Sequence, residues 1–182
     1  RMTRADKSYT AQEAHLLDLM LILHAEHSSN NSTFVCRAIS SSGTDTYSAI
    51  AGAVGSLKGP LHGGANAKVL QMFRTIRDTV GATPTDEALG ACLDDLLDGK
   101  TGDRSGKLYG LGHAVYTMSD PRAVVIKKYA ASLASAKGRL PDLELMERVE
   151  ARGIEKIMTR KRQTIPMCAN VDLYSGLIYS ML

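Results

Sequence analysis

LHGGANAKVLQMFRTIRDTV, residues 61–80, sets a histidine and two glycines directly ahead of a helix expected from about Ala65 to Thr79. His62 lies between Pro60 and Gly63-Gly64. Backbone amides at a helix start favour nearby negative charge and disfavour a cation, so an imidazole placed there is held neutral. A neutral imidazole can donate a hydrogen bond to a carbonyl oxygen as that oxygen becomes an enolate. Taken alone, the segment reads first as a histidine in a glycine turn that caps a helix.

Upstream, SSSGTDTYSAIAGAVGSLKG (40–59) supplies Thr44 or Asp45 as an N-cap and a helix from Tyr47 to Leu57 that Gly59-Pro60 ends. Its Ala49, Ala51, Gly52, Ala53, Gly55 and Ser56 let another helix approach closely. So little bulk cannot fill a core, so this helix is expected to pack against several others or against a second subunit. HAEHSSNNSTF (24–34) is too polar for a core and reads as an ordered loop or helix start. Before it, Leu16, Leu17, Met20 and Leu23 predict a helix over roughly 11–25. His24 and His27 are three apart, not four as in H-E-x-x-H, which argues against a metal pair. His27, facing a loop of Asn and Ser, is better cast as a hydrogen-bond donor to an anionic substrate.

Downstream, a helix is expected over about Asp86–Leu97, then a turn-rich loop, GKTGDRSGKLYGLGH, with five glycines before His113. Those glycines let backbone amides approach a ligand closely. DPRAVVIKKYAASLASAK (120–137) begins a helix at Pro121, with Arg122 at its start as a fork suited to a carboxylate. A further helix is expected over about Leu143–Met158, after Pro141. NVDLYSG (170–176) opens the last helix, with Leu173, Leu177, Ile178, Met181 and Leu182 at helical spacing. Asp172 follows Asn170 there, as a helix-start aspartate or, if buried, a general base. The last helix ends without a cap or breaker, so the chain is expected to be a piece of a longer protein. No alternating pattern longer than four residues occurs, and the fold class is all-α.

The balance of charge excludes some functions. Over 182 residues there are 22 basic and 19 acidic side chains, a net charge of +3, too even for a nucleic-acid surface. The basic stretch Lys156–Arg162 reads as a solvated helix end and loop. No apolar run approaches the ~20 residues that span a bilayer. Cys36, Cys92 and Cys168 form no C-x-x-C pair and read as reduced thiols of a cytosolic protein, with no nucleophilic role.

Each segment alone is ordinary; their order is not. HAEH with N-x-S-T, GPLHGGAN, G-x-GHAVY with DPRA, and NVDLYSG together resemble citrate synthase from about residue 10 to the end. The resemblance implies a helical protein whose large and small domains close around oxaloacetate and acetyl-CoA. Residues 1–60 would be large-domain helices, including the small-residue helix of a homodimer interface. Residues 61–169 would be the small domain, and 170–182 the start of a further large-domain helix. His62 would hold the thioester carbonyl, Asp172 would remove the methyl proton, and His113 would polarise the ketone of oxaloacetate and protonate it. His27 and Arg122 would bind oxaloacetate. Leu108, Tyr109, Gly110, Leu111 and Gly112 would meet the adenine end of CoA. Further substrate-binding arginines of the family would lie beyond residue 182, so the chain alone is expected to turn over little.

The implied activity is an acyltransferase step of the tricarboxylic acid cycle, in the cytoplasm. It takes no metal and no cofactor, acetyl-CoA being a substrate, and it involves neither nucleic acid nor membrane. Two other readings stay open: 2-methylcitrate synthase acting on propionyl-CoA, and a catalytically silent helical dimerisation or ligand-binding module.

Overall fold

A computed structural model describes residues 4–25, 30–59, 62–112 and 116–182. Eight helices account for the regular structure among them: α1 (Ala11–Ala25), α2 (Asn31–Ser40), α3 (Thr46–Leu57), α4 (Ala65–Val80), α5 (Asp86–Leu97), α6 (Pro121–Ala136), α7 (Leu140–Lys161) and α8 (Val171–Met181). The expected all-α class is what is found. The chain forms two compact units, Leu21–Ala65 and Arg1–Met20 with Asn66–Leu182.

The helix starts follow from short polar side chains. Asn30, Asp45, Thr85, Asp120 and Asn170 each accept a hydrogen bond from an amide in the first turn of α2, α3, α5, α6 and α8. Each satisfies a donor that the helix itself leaves without a partner. One expectation needs correction. Helix α7 begins at Leu140, not Leu143, and Pro141 lies in its first turn, where a missing N–H costs no helical hydrogen bond. The polar stretch 24–34, expected as an ordered loop or helix start, does hold the start of α2, capped by Asn30.

In the smaller unit α2 and α3 lie against each other. Gly52 of α3 leaves room that the Ile39 side chain of α2 occupies, and Asn31 donates to Ser56 Oγ at 2.7 Å. The small residues of α3 thus serve a close helix–helix approach. Tyr47, Ile50, Val54 and Leu57, at spacings of 3, 4 and 3, remain exposed on the same helix.

In the larger unit α8 is buried on nearly every side, with Val171, Leu173, Tyr174, Leu177, Ile178 and Met181 in the core. A helix apolar all round belongs inside a bundle. Helices α6 and α7 pack on it, and α5 packs on α7. The Tyr174 hydroxyl donates to Glu150 of α7, which also holds Lys127 of α6 at 3.0 Å. Burial, then the neighbouring carboxylate, keeps this phenol protonated far above its usual range.

The basic stretch at the end of α7 is not merely solvated. Lys156 and Arg160 pair with Asp94 of α5 at 2.6 and 2.9 Å, and Arg160 reaches Asp98 at 2.6 Å. One turn or more earlier, Arg148 and Arg152 both hold Asp86 at 2.6 Å. Acidic residues on α5 explain the row of cations on α7.

Candidate active site

Three of the sequence segments meet at the start of α8. The glycine loop reaches it first. Asn170 donates its backbone N–H to Gly110 O at 2.9 Å and its side-chain amide to Gly112 O at 3.0 Å. Gly112 N–H in turn donates to Cys168 O at 2.8 Å, and Leu111 pairs with Ala169 in an isolated antiparallel bridge. Gly110 has φ +84° and lies so close to α8 that a Cβ would fall 2.9 Å from Leu173 Cα. Only glycine fits both that conformation and that approach.

The DPR segment arrives at the same point. The Asp120 carboxylate is fully buried and, among the described residues, accepts from groups of two elements. Arg122 N–H and Nε donate to Oδ1 at 3.0 and 3.1 Å, while Arg122 Nη2 and Val171 N–H donate to Oδ2 at 2.8 and 3.0 Å. The two-point grip fixes the plane of the guanidinium, whose side chain is 15% exposed. The same carboxylate sits at the amide end of α8, where negative charge is favoured. Asp172 follows Val171, half-buried, with its N–H donating to Asn170 Oδ1 at 3.0 Å.

From LHGGAN, Asn66 on the first turn of α4 donates to Ser175 Oγ at 3.2 Å. Gly176 lets the helices approach: a Cβ there would meet Leu70 Cγ at 3.0 Å and Asn66 O at 3.2 Å.

His62 belongs to the smaller unit and is held there by α2 and α3. Its turn is pinned where Gly63 N–H donates to Leu57 O at 2.9 Å, and a Cβ on Gly63 would strike that oxygen at 2.5 Å. Ser32 N–H donates to His62 Nε2 at 3.2 Å, with Ser32 Oγ at 2.9 Å from the same nitrogen. A backbone N–H can only donate, so Nε2 carries the lone pair and the ring proton sits on Nδ1. With Nε2 in that acceptor role, Nδ1–H is the ring group left to donate.

Of the residues singled out in the sequence, Arg122, Asp172 and Leu108–Gly112 share the larger unit and His62 lies in the smaller one. His27 and His113 lie outside the described residues. Sequence reasoning did not single out Ser32 or Asp120 as site-building residues. Asp120 carried a signal, an acidic residue directly before a proline at a helix start. Ser32 carried only its place in a polar run. Among the described residues, no three His, Cys, Asp or Glu side chains come together in a way that would hold a metal ion. No helix among them is long and apolar enough to cross a membrane.

Comparison with known proteins places the chain in a family. The family described as "Citrate synthase, C-terminal domain" matches residues 1–182. The glyoxysomal citrate synthase of Cucurbita maxima is 43% identical over 166 residues, which is 91% of this chain and 29% of that protein. The 2-methylcitrate synthase of Shewanella oneidensis is 39% identical over 132 residues, 72% of this chain and 32% of that protein. Among solved structures, the citrate synthase of Thermoplasma acidophilum in ternary complex with carboxymethyl coenzyme A and oxaloacetate superposes with a TM-score of 0.73 at 29% identity. That likeness covers 97% of this chain and 42% of the other. The chain spans about a third of the length of the curated relatives named here. A family match along the whole chain shows that the chain belongs to the citrate synthase family.

Proposed function

We propose that this chain carries the reacting side chains of a citrate synthase, an enzyme that condenses acetyl-CoA with oxaloacetate and water to give citrate and CoA. The observation that carries the reading is the start of α8, where Asn170 holds the glycine loop and Asp120 joins Arg122 to Val171, one residue from Asp172. A loop of close-approach backbone, an oriented guanidinium and a half-buried carboxylate are the parts that such a condensation needs in one place.

Asp172 takes a proton from the methyl group of acetyl-CoA. His62 donates from Nδ1–H to the thioester oxygen as charge develops there, so that an enol forms without a free enolate. The acceptor role of Nε2 toward Ser32 supports this choice of donor. The enol carbon then attacks the ketone of oxaloacetate, and His113 gives a proton to the ketone oxygen. His27 and Arg122 hold oxaloacetate, Arg122 through a carboxylate. Backbone of Leu108, Tyr109, Gly110, Leu111 and Gly112 meets the adenine end of CoA. Hydrolysis of citryl-CoA completes the cycle, which takes no cofactor and serves the tricarboxylic acid cycle.

The protein acts as a homodimer in the cytoplasm, with 61–169 as its small domain and 1–60 and 170–182 as parts of the large one. The exposed apolar row of α3 supports self-association through that helix. The 182-residue chain by itself turns over little. Propionyl-CoA is the competing substrate, favoured by the likeness to a 2-methylcitrate synthase. One methylene in an apolar pocket discriminates by only about 1–3 kcal/mol, so kcat/KM for the two thioesters decides between them.

Proton exchange tests the reading directly. With oxaloacetate replaced by a non-condensing dicarboxylate, the methyl protons of acetyl-CoA exchange with deuterium oxide on the parent protein. Asp172→Asn stops that exchange while leaving dicarboxylate binding. Exchange that persists in the variant rules Asp172 out as the base.

A further inference from the structure

The loop between α5 and α6 is held at its end by Asn170, but its middle has a separate tether. From Gly99 to Gly112, φ is positive at Gly99, Gly102, Arg104, Gly106, Gly110 and Gly112. Arg104, at +57°, is the one residue of these with a Cβ in the left-handed region, a conformation that persists only where surroundings impose it. A chain with so many unusual turns has many alternative shapes. Something must select one.

The selecting contact is Asp103. Its Oδ1 accepts from Ser105 N–H at 3.1 Å, and its Oδ2 accepts from the Tyr109 hydroxyl at 2.6 Å and from Lys68 Nζ at 3.0 Å. Tyr109 OH also lies 3.1 Å from Ser105 Oγ, and Lys68 Nζ sits 5.9 Å from the centre of the Tyr109 ring. The Asp103–Tyr109 bond closes the loop on itself across six residues. The Asp103–Lys68 pair ties that closed loop to α4, two residues beyond the Asn66 that grips α8. Hydrogen bonds from Ser105 and Tyr109, then Lys68, hold the Asp103 carboxyl far below the usual carboxylate range, so it is ionised wherever the protein is folded at ordinary pH. The side chains on either side of Tyr109 are anchored: Leu108 is buried, and Gly153 of α7 leaves space that Leu111 and Leu108 fill.

We propose that Asp103 is a positioning residue for acyl-CoA binding: by holding Tyr109 and Lys68 together it sets the backbone of 105–110 in its ligand-ready shape before acyl-CoA arrives. The proposal rests on the reading that Leu108–Gly112 meets acyl-CoA. Order fixed in advance is order the ligand need not impose, and that difference appears as affinity. Asp103 itself touches no reacting atom. It differs in this from Arg122, whose guanidinium is part of the oxaloacetate site.

Asp103→Asn keeps the shape and removes the charge, and Tyr109→Phe keeps the ring and removes the hydroxyl. Calorimetric titration with acetyl-CoA is expected to show about a tenfold loss of affinity in Asp103→Asn and a smaller one in Tyr109→Phe. Oxaloacetate affinity stays at the parent value. Without ligand, amide hydrogen exchange at 104–110 speeds up in both variants, while the core of α8 keeps its protection. Parent-like acetyl-CoA affinity in Asp103→Asn overturns the proposal. So does weakened binding with unchanged exchange, which would make Asp103 a direct ligand contact. If the parent itself binds acetyl-CoA without protecting 108–112, the failure lies in the assignment of that loop, and the proposal falls with it.

Discussion

Asp120 and Val171, 51 residues apart, are joined by a buried hydrogen bond of 3.0 Å from the Val171 amide to the Asp120 carboxylate. The same carboxylate holds Arg122 at two points. One side chain therefore sets both the entry of α8 and the orientation of the proposed oxaloacetate arginine. A single change at Asp120 should disturb both together.

Asp120→Asn keeps the size but replaces an acceptor oxygen by a donor that faces either Arg122 or the Val171 amide. A buried donor then loses its acceptor, at a cost of about 1–3 kcal/mol. Urea denaturation should show that loss, and oxaloacetate titration should show weaker binding with acetyl-CoA affinity little changed. If stability falls but oxaloacetate affinity does not, Asp120 serves the helix and not the arginine.

Gly110→Ala is expected to be among the most damaging glycine substitutions. Its φ of +84° disfavours alanine, and the added methyl would lie 2.8 Å from Leu173 Cδ1 and 2.9 Å from Leu173 Cα. Strain and overpacking together should cost about 2–4 kcal/mol. Gly138→Ala is the control: φ is +64° there too, but nothing lies within 4 Å of the new carbon. It should lose only about 1 kcal/mol, the backbone share of the penalty. Thermal melts of the two variants side by side separate conformation from crowding.

Acid should loosen the tie at Glu13. This buried carboxylate is held by Arg4, Lys137 and the Thr10 amide, and Arg4 also reaches the backbone oxygen of Leu182. Hydrogen bonds from Arg4, then from Lys137, keep its carboxyl far below the ordinary range. A carboxyl lowered in the folded state binds its proton more readily when unfolded. Its stabilisation is therefore complete above the ordinary glutamate pKa of about 4.3 and is lost as pH falls through and below that value. Glu13→Gln should flatten the acid limb of the stability curve between pH 5 and the acid end point, relative to the parent. An unchanged slope would mean that Glu13 does not contribute to it.

The helix ends were legible where the residues that make them are neighbours in sequence. The helix expected over about Asp86–Leu97 has those bounds, with a Thr85 cap and first-turn acids as its neighbours in sequence. Helix α7 starts three residues before the expected Leu143 because Pro141 fits its first turn, which has no use for the missing N–H. The polar run before Phe34 reads as a loop or helix start, and α2 begins there at its Asn30 cap. In the site, each segment showed its own reactive side chain. What joins the segments was not visible, because Ser32 with His62, Asp120 with Val171 and Asp103 with Lys68 are partners 30, 51 and 35 residues apart. No local pattern encodes such a pair.

The rows of opposite charge on α5 and α7 form a network and not isolated pairs, since Asp94 serves Lys156 and Arg160 while Arg160 also serves Asp98. The side chains are between a quarter and a half exposed, so solvent screens each contact. Asp94→Asn at low ionic strength should cost about 0.5–1 kcal/mol, no more than surface pairs usually give. In 1 M sodium chloride, where the screening length falls to about 3 Å, the difference between variant and parent should nearly vanish. Urea melts of both proteins at the two salt concentrations give the four values needed. A penalty that survives high salt would mean that Asp94 stabilises the fold by something other than its charge.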